Sequence, residues 1–205
     1  MRQSIIIVGA SAMGREAYIY AKECGFDVAG FLDTRSEVLA PFHGYPPVLG
    51  TVDEYRFKNT EKCVVCVGDP DVRFHYVGQL KARHASFARI VHPTAYIGMN
   101  VSIGDGSIVC PRVSITCDTN IGSHVIVNCG ASINHDNKIG DFTTICPSCT
   151  LAGRVTVGRK VFLGTGTIVI PDITLGDGVV TGAGAVVTKS FNSGKLVGVP
   201  ARCRQ

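Results

Sequence analysis

Residues 132–163 read SINHDNKIGDFTTICPSCTLAGRVTVGRKVFL, and every sixth position is aliphatic: Ile133, Ile139, Ile145, Leu151, Val157 and Leu163. The register runs back through Val127, Ile121, Ile115, Val109, Ile103 and Ile97 to Val91, and forward through Val169 and Leu175 to Val187. Only Thr181 breaks the aliphatic rule. Glycine often follows the aliphatic, as at Gly98, Gly104, Gly122, Gly140, Gly158 and Gly176, and the residue two before it is mostly small or β-branched. A helix repeats near 3.6 residues and an ordinary strand at 2, so neither holds a period of six on one face. The pattern predicts a left-handed parallel β-helix, with each hexad forming one side of a triangular prism and 18 residues closing one coil. About 5.5 such coils at ~4.8 Å spacing make a prism roughly 26 Å tall. Residues 18 apart then stack, which puts His135 in line with Cys117 and Gly153, and Thr165 under Ala183 at another corner. Flat prism sides are commonly buried by association, so a homotrimer is expected by analogy with the fold.

The first ninety residues follow another rule. Ser4–Val8 is an apolar strand run, Gly9 to Gly14 reads GASAMG, and a helical stretch extends to Cys24. Val28–Leu32 is a second strand ending at Asp33, and Cys63–Val67 a third, followed by Gly68, Asp69 and a helix over Val72–Arg83. Alternating β and α with glycines at strand ends predicts a small Rossmann-like parallel sheet over residues 1–90, ahead of the β-helix over 91–205. A glycine loop at a helix N-terminus admits a phosphate group, and Asp33 is placed to accept hydrogen bonds from a ribose or base. Ser11 stands where a full dinucleotide fingerprint has its second glycine, and the strands are too few for a whole dinucleotide fold. One nucleotide diphosphate fits that size better.

Composition removes other classes. With 205 residues, 45% hydrophobic and 18% charged, the chain has the material for packed cores. Trp is absent, aromatics are 7% and the net charge is only +4, which argues against nucleic acid as a partner. No apolar run reaches the roughly 18 residues of a membrane span. The N-terminus lacks a cleavage pattern, so the nine cysteines read as reduced thiols in a cytoplasm. Cys63–Cys66 lies in a strand and Cys146–Cys149 fits the hexad phase, so both pairs read as packing. His92 reads as a junction residue and His124 as a solvated corner. No metal is expected.

Several motifs occur in order: IIIVGASAMGREA (5–17), GFLD (30–33), VGDPDVR (67–73), IVHPTAYIG (90–98), NCGASINHDNKIGDF (128–142) and VGVPAR (197–202). Together they resemble the sialic acid O-acetyltransferase-like family of hexapeptide-repeat acetyltransferases, near the nucleotide-linked 4-amino-sugar N-acetyltransferases of bacillosamine, perosamine and viosamine type. The resemblance implies acetyl transfer from acetyl-CoA to a nucleotide-linked amino sugar, in glycan or O-antigen synthesis. It puts the catalytic His–acid pair on His135 and Asp136, with Asn128 preceding it. Backbone near Gly153 meets the thioester carbonyl, and CoA runs between two β-helices past Thr144, Thr165 and Ala183. On charge alone, Lys189, Arg202 or Arg204 suit the CoA phosphates. The nucleotide sugar falls to Gly9, Ser11, Ala12, Met13, Asp33, Thr34, Gly68 and Asp69. Relatives often have histidines where this chain has Met13 and Thr144, which bears on sugar preference. Sugar O-acetylation is the alternative within the fold. From another class, an NAD-dependent oxidoreductase carrying a trimerising β-helix, or a silent nucleotide-binding scaffold, remains open on the residues alone.

Overall fold

The computed structural model describes residues 3–204, and the chain divides into two compact units, Met1–Ile90 and Val91–Gln205. The first unit contains β1 (Ser4–Val8), α1 (Ala12–Glu23), β2 (Asp27–Leu32), β3 (Lys62–Val65), α2 (Pro70–Ala82) and β4 (Ser86–Phe87). Its four strands lie in the order β2-β1-β3-β4, all parallel. Ile5, Ile6 and Ile7 of β1 are wholly buried, as a central strand covered on both faces requires. Helix α1 buries Gly14, Ala17 and Ala21. A Cβ on Gly14 would come 1.9 Å from the Gly9 carbonyl oxygen, so the helix closes on the loop only because that residue has no side chain. Strand β4 was not foreseen, since two residues are too few to show alternation.

The second unit is a parallel β-helix of two-residue strands on three faces. The five-stranded face runs from Ser102–Ile103 to Thr174–Leu175, and the six-stranded face from Tyr96–Ile97 to Val186–Val187. The eight-stranded face runs from Ile90–Val91 and ends in Lys195–Val197 and Arg202–Arg204, the latter pair antiparallel. Coil neighbours are 18 residues apart: Ile133 pairs with Ile115 on one side and Leu151 on the other. The aliphatic row packs inward with the small row two residues before it, so Val113, Ala131, Cys149, Val155 and Val161 are buried beside Ile115, Ile133, Leu151, Val157 and Leu163.

Two regularities emerge that the aliphatic period did not disclose. Most corners carry one residue in left-handed backbone, again at a period of six: Asn100, Gly106, Arg112, Asp118, His124, Gly130, Asp136, Phe142 and onward, with φ between 50° and 74°. Such a conformation costs roughly 1–2 kcal/mol at a non-glycine, and coil-to-coil pairing over-determines it. Where the small inward row is polar, it stitches one coil to the next. Ser107 Oγ donates to the Gly122 carbonyl (2.9 Å) and accepts from Val125 N–H (2.9 Å). Thr119 and Thr143 do the same one coil onward, at Asn134 with Asn137 and at Gly158 with Val161.

His124 is a correction. It is buried, with its ring stacked on Phe142 one coil away (centroids 5.0 Å, 16° between planes), and is no solvated corner. His92 is buried too, its Nδ1 accepting from Thr94 N–H (3.1 Å) and bonded to Thr94 Oγ1 (2.8 Å). Burial pushes the Cys63 thiol up to about 12 and Cys149 up to about 11, where neither is a nucleophile at neutral pH. Among the described residues, no three His, Cys, Asp or Glu are grouped to hold a metal ion, and no helix is long and apolar enough to cross a membrane.

Candidate active site

His135 and Asp136 occupy the corner after the strand Ser132–Ile133. Asp136 is the left-handed residue of that corner (φ 60°) and turns its carboxylate back on its neighbour: Oδ2 lies 2.7 Å from His135 Nδ1. A carboxylate only accepts, so Nδ1 carries a proton and, in the neutral ring, the lone pair sits on Nε2. The pair is open to solvent, with side-chain exposures of 48% and 54%. The coil count holds at this corner. Asp136 N–H donates to the Cys117 carbonyl (3.2 Å), and Arg154 N–H to that of His135 (3.0 Å).

Gly153 lies against the ring. A Cβ there would fall 2.3 Å from His135 Cε1 and 2.5 Å from Nε2, so only glycine lets the imidazole rest on that coil. The Gly153 N–H donates no hydrogen bond among the described residues, although its carbonyl accepts from Asp172 N–H (3.2 Å).

The corner column is rich in carboxylates. Asp118, one coil from Asp136, accepts from Asn100 Nδ2 (2.8 Å); that bond, one from Cys117 and the charge of His135 hold it below the usual carboxylate range. The Cys117 thiol is pushed up, chiefly by its bond to Asp118. On the other side, Arg154 is tied to Asp172 by two bonds of 2.6 and 2.8 Å.

Asn128 is not brought to this corner. It follows the strand Ile126–Val127 on the eight-stranded face, and its Nδ2 donates to the Ile145 carbonyl (3.0 Å). Thr144 lies buried in the same face. Thr165 and Ala183 are exposed at one shared corner, one coil apart, where Gly184 N–H donates to the Thr165 carbonyl (2.8 Å). Lys189 lies beyond Val187 with its ammonium 5.5 Å from the Phe191 ring, and Arg202 and Arg204 are exposed on the final strand. Sequence reasoning missed Asn137, a wholly buried amide two residues past His135. The available signal was one amide in an inward row otherwise of small, aliphatic or hydroxyl residues.

In the first unit a cleft of about 270 Å³ opens at the strand ends, lined by Gly9, Ser11, Asp33, Thr34, Arg35 and Tyr76, with Leu32, Val52, Val67 and Val72. Burial raises the Asp33 carboxyl, but hydrogen bonds from the Arg35 side chain and the Ala10 and Arg35 N–H groups outweigh it and hold it below the usual range. Any ligand hydroxyl reaching Asp33 therefore competes with Arg35. Ala12, Met13, Gly68 and Asp69 do not line this cleft. Asp69 instead caps α2, its Oδ1 accepting from Asp71 and Val72 N–H (both 2.9 Å). The buried Arg73 holds the loop before α2 by donating to the Val67 and Gly68 carbonyls (2.5 and 3.1 Å). Thr34, Arg35 and Tyr76 form the part of the lining that periodicity does not mark.

Residues 4–80 match the PglD N-terminal domain family, and residues 154–189 the bacterial transferase hexapeptide family (six repeats). No curated protein matches the chain. Among solved structures, PerB from Caulobacter crescentus, crystallised with CoA and GDP-perosamine, is 31% identical over 98% of this chain and 97% of its own, with a TM-score of 0.90. The acetyltransferase domain of PglB from Neisseria gonorrhoeae FA1090 is 26% identical over 99% of this chain and 100% of its own (TM-score 0.90). WeeI from Acinetobacter baumannii AYE is 26% identical over 97% and 98% (TM-score 0.87). With the same two folds in the same order, and that level of identity to PerB from end to end, the chain belongs to the nucleotide-linked amino-sugar acetyltransferases of the hexapeptide-repeat class.

Proposed function

We propose that this protein transfers the acetyl group of acetyl-CoA to the amine of a nucleotide-linked amino sugar, of the 4-amino-4,6-dideoxy class, by direct attack. The observation that carries this is the His135–Asp136 pair, with Nδ1 held by a carboxylate at 2.7 Å and the ring resting on Gly153. PerB was solved with CoA and GDP-perosamine, and the PglB domain with acetyl coenzyme A, which supports the same pair of substrates here.

The chemistry follows from the residue types. A sugar ammonium is no nucleophile until it releases one proton to solvent, and the free amine must shed a second as it attacks, which a neutral imidazole can accept. The amine nitrogen bonds to the thioester carbon, His135 Nε2 takes the amine's proton, and the Gly153 N–H is available to the carbonyl oxygen as it gains charge. When the tetrahedral intermediate collapses, the C–S bond breaks and the proton passes to the CoA sulfur. Asp136 holds the ring and steadies the imidazolium. Asp118, one coil away, adds a second negative charge that draws a cationic acceptor. This favours an amine over a hydroxyl. CoA would lie between neighbouring β-helices of a homotrimer along Thr165 and Ala183, its phosphates near Lys189 and Arg202, and the nucleotide in the cleft beside Asp33 and Arg35.

A thiol-release assay with acetyl-CoA, across nucleotide-linked 4-amino sugars and free sialic acid, tests the assignment. His135→Ala is expected to lose about 10²- to 10⁴-fold in kcat while still binding both substrates. Unchanged turnover would remove His135 as the base, and acetylation of sialic acid alone would make the enzyme an O-acetyltransferase. Tight NADH binding with no acetyl transfer would favour the oxidoreductase.

A further inference from the structure

Asn137 is wholly buried, and its amide spans two coils at the height of the dyad. Within its own coil, Nδ2 donates to the Asn134 carbonyl at 2.8 Å and reaches the His135 carbonyl at 3.4 Å. Across to the next coil, the same nitrogen donates to the Ala152 carbonyl at 2.9 Å, and Oδ1 accepts from Val155 N–H at 3.0 Å. The first contacts lie on the backbone that carries the imidazole. The second bracket Gly153. A threonine hydroxyl in this row also accepts but has one proton to give, whereas an amide has two, so Asn137 donates to both coils at once. The only amide in the inward row thus stands at the level where the His135 ring rests on Gly153 of the next coil.

We propose that Asn137 is a positioning residue that sets the height of His135 over Gly153, and so the reach from Nε2 to an acceptor amine and from the Gly153 N–H to the acyl oxygen. This rests on reading His135 as the general base. Asn137 itself is sealed from substrate and acts only through the backbone it holds.

The inward row accommodates the changes that test this. Val155 occupies the same row one coil on, Thr119 one coil back, and Ala131 one hexad earlier, so Asn137→Val, Asn137→Thr and Asn137→Ala each place a residue the row already accepts. Asn137→Val is expected to lower kcat by about tenfold to a hundredfold, with both KM values within about twofold, because misplacement of a reacting group by about an ångström has costs of that order. Asn137→Ala serves the same purpose if the valine variant fails to assemble. Asn137→Thr, which restores the coil-to-coil stitch, is expected to recover most of the rate. In a His135→Ala background, Asn137→Val should lower the residual rate by a smaller factor than it lowers that of the intact enzyme, leaving only the part that acts through Gly153. An independent reading is the NMR titration of the His135 ring in ligand-free protein, with resonances displaced or broadened in Asn137→Val and near wild type in Asn137→Thr. Full kcat with an unaltered ring signal overturns the proposal, as does a rate loss that persists undiminished without His135. If the wild-type chain acetylates no acceptor, the functional reading fails, and the NMR comparison still decides whether Asn137 holds the ring.

Discussion

Gly153 shows how much a single hydrogen atom decides at this site. Its backbone is ordinary, so the residue is not there for a left-handed turn; it is there because a Cβ would sit 2.3 Å from the His135 ring. Gly153→Ala is therefore expected to fold and assemble normally while swinging the imidazole off its seat, with kcat down about a hundredfold and acetyl-CoA affinity nearly unchanged. Steady-state kinetics beside a calorimetric acetyl-CoA titration checks this, and an alanine variant with full turnover would show that the ring does its work elsewhere. Asp136 is as dependent on its place. Left-handed backbone at a hexad corner is what turns its short side chain back on the preceding residue, so the two neighbours meet at 2.7 Å.

At the scale of elements, the loop after β2 has a measurable acid response. Asp33 is held below the ordinary carboxylate range, against the opposing effect of its burial, by the Arg35 side chain and by N–H groups of Ala10 and Arg35. A carboxyl whose folded value is depressed stabilises the fold above its unfolded value, near ~3.9, and that contribution fades as pH falls through the folded value. Asp33→Asn is expected to be less stable than wild type at neutral pH, with the two curves converging below about pH 4. Unfolding midpoints measured from pH 7 to pH 2 test it, and a constant gap across that range would show that the carboxylate's charge contributes nothing. The loop between β3 and α2 gives Asp69 a second role beside the one expected of it. Its position before a helix suits phosphate and cap alike, and the structure spends its Oδ1 on Asp71 and Val72.

For the whole molecule, the outstanding expectation is three copies. Light scattering of the purified chain should give three times the 21.7 kDa protomer mass, for wild type and His135→Ala alike. A monomer that still acetylates its acceptor would show that the acyl donor needs no groove between β-helices. The β-helix was legible in the residues because its period is local: each hexad repeats the same burial, so an aliphatic row from Val91 to Val187 announces the coil and its 18-residue stack. From that count alone His135 falls in line with Cys117 and Gly153, and the parallel sheet before it follows from apolar runs ending in glycine. Other features depend on groups meeting from distant parts of the chain, and no period records them. Only the folded chain decided that Asp136 turns toward the ring, that Asn128 spends its amide on Ile145, that Asp33 is already engaged by Arg35, and that Asn137 clasps two coils. A repeat specifies where the backbone goes, but a hydrogen bond is settled by which donors and acceptors arrive together once it is there.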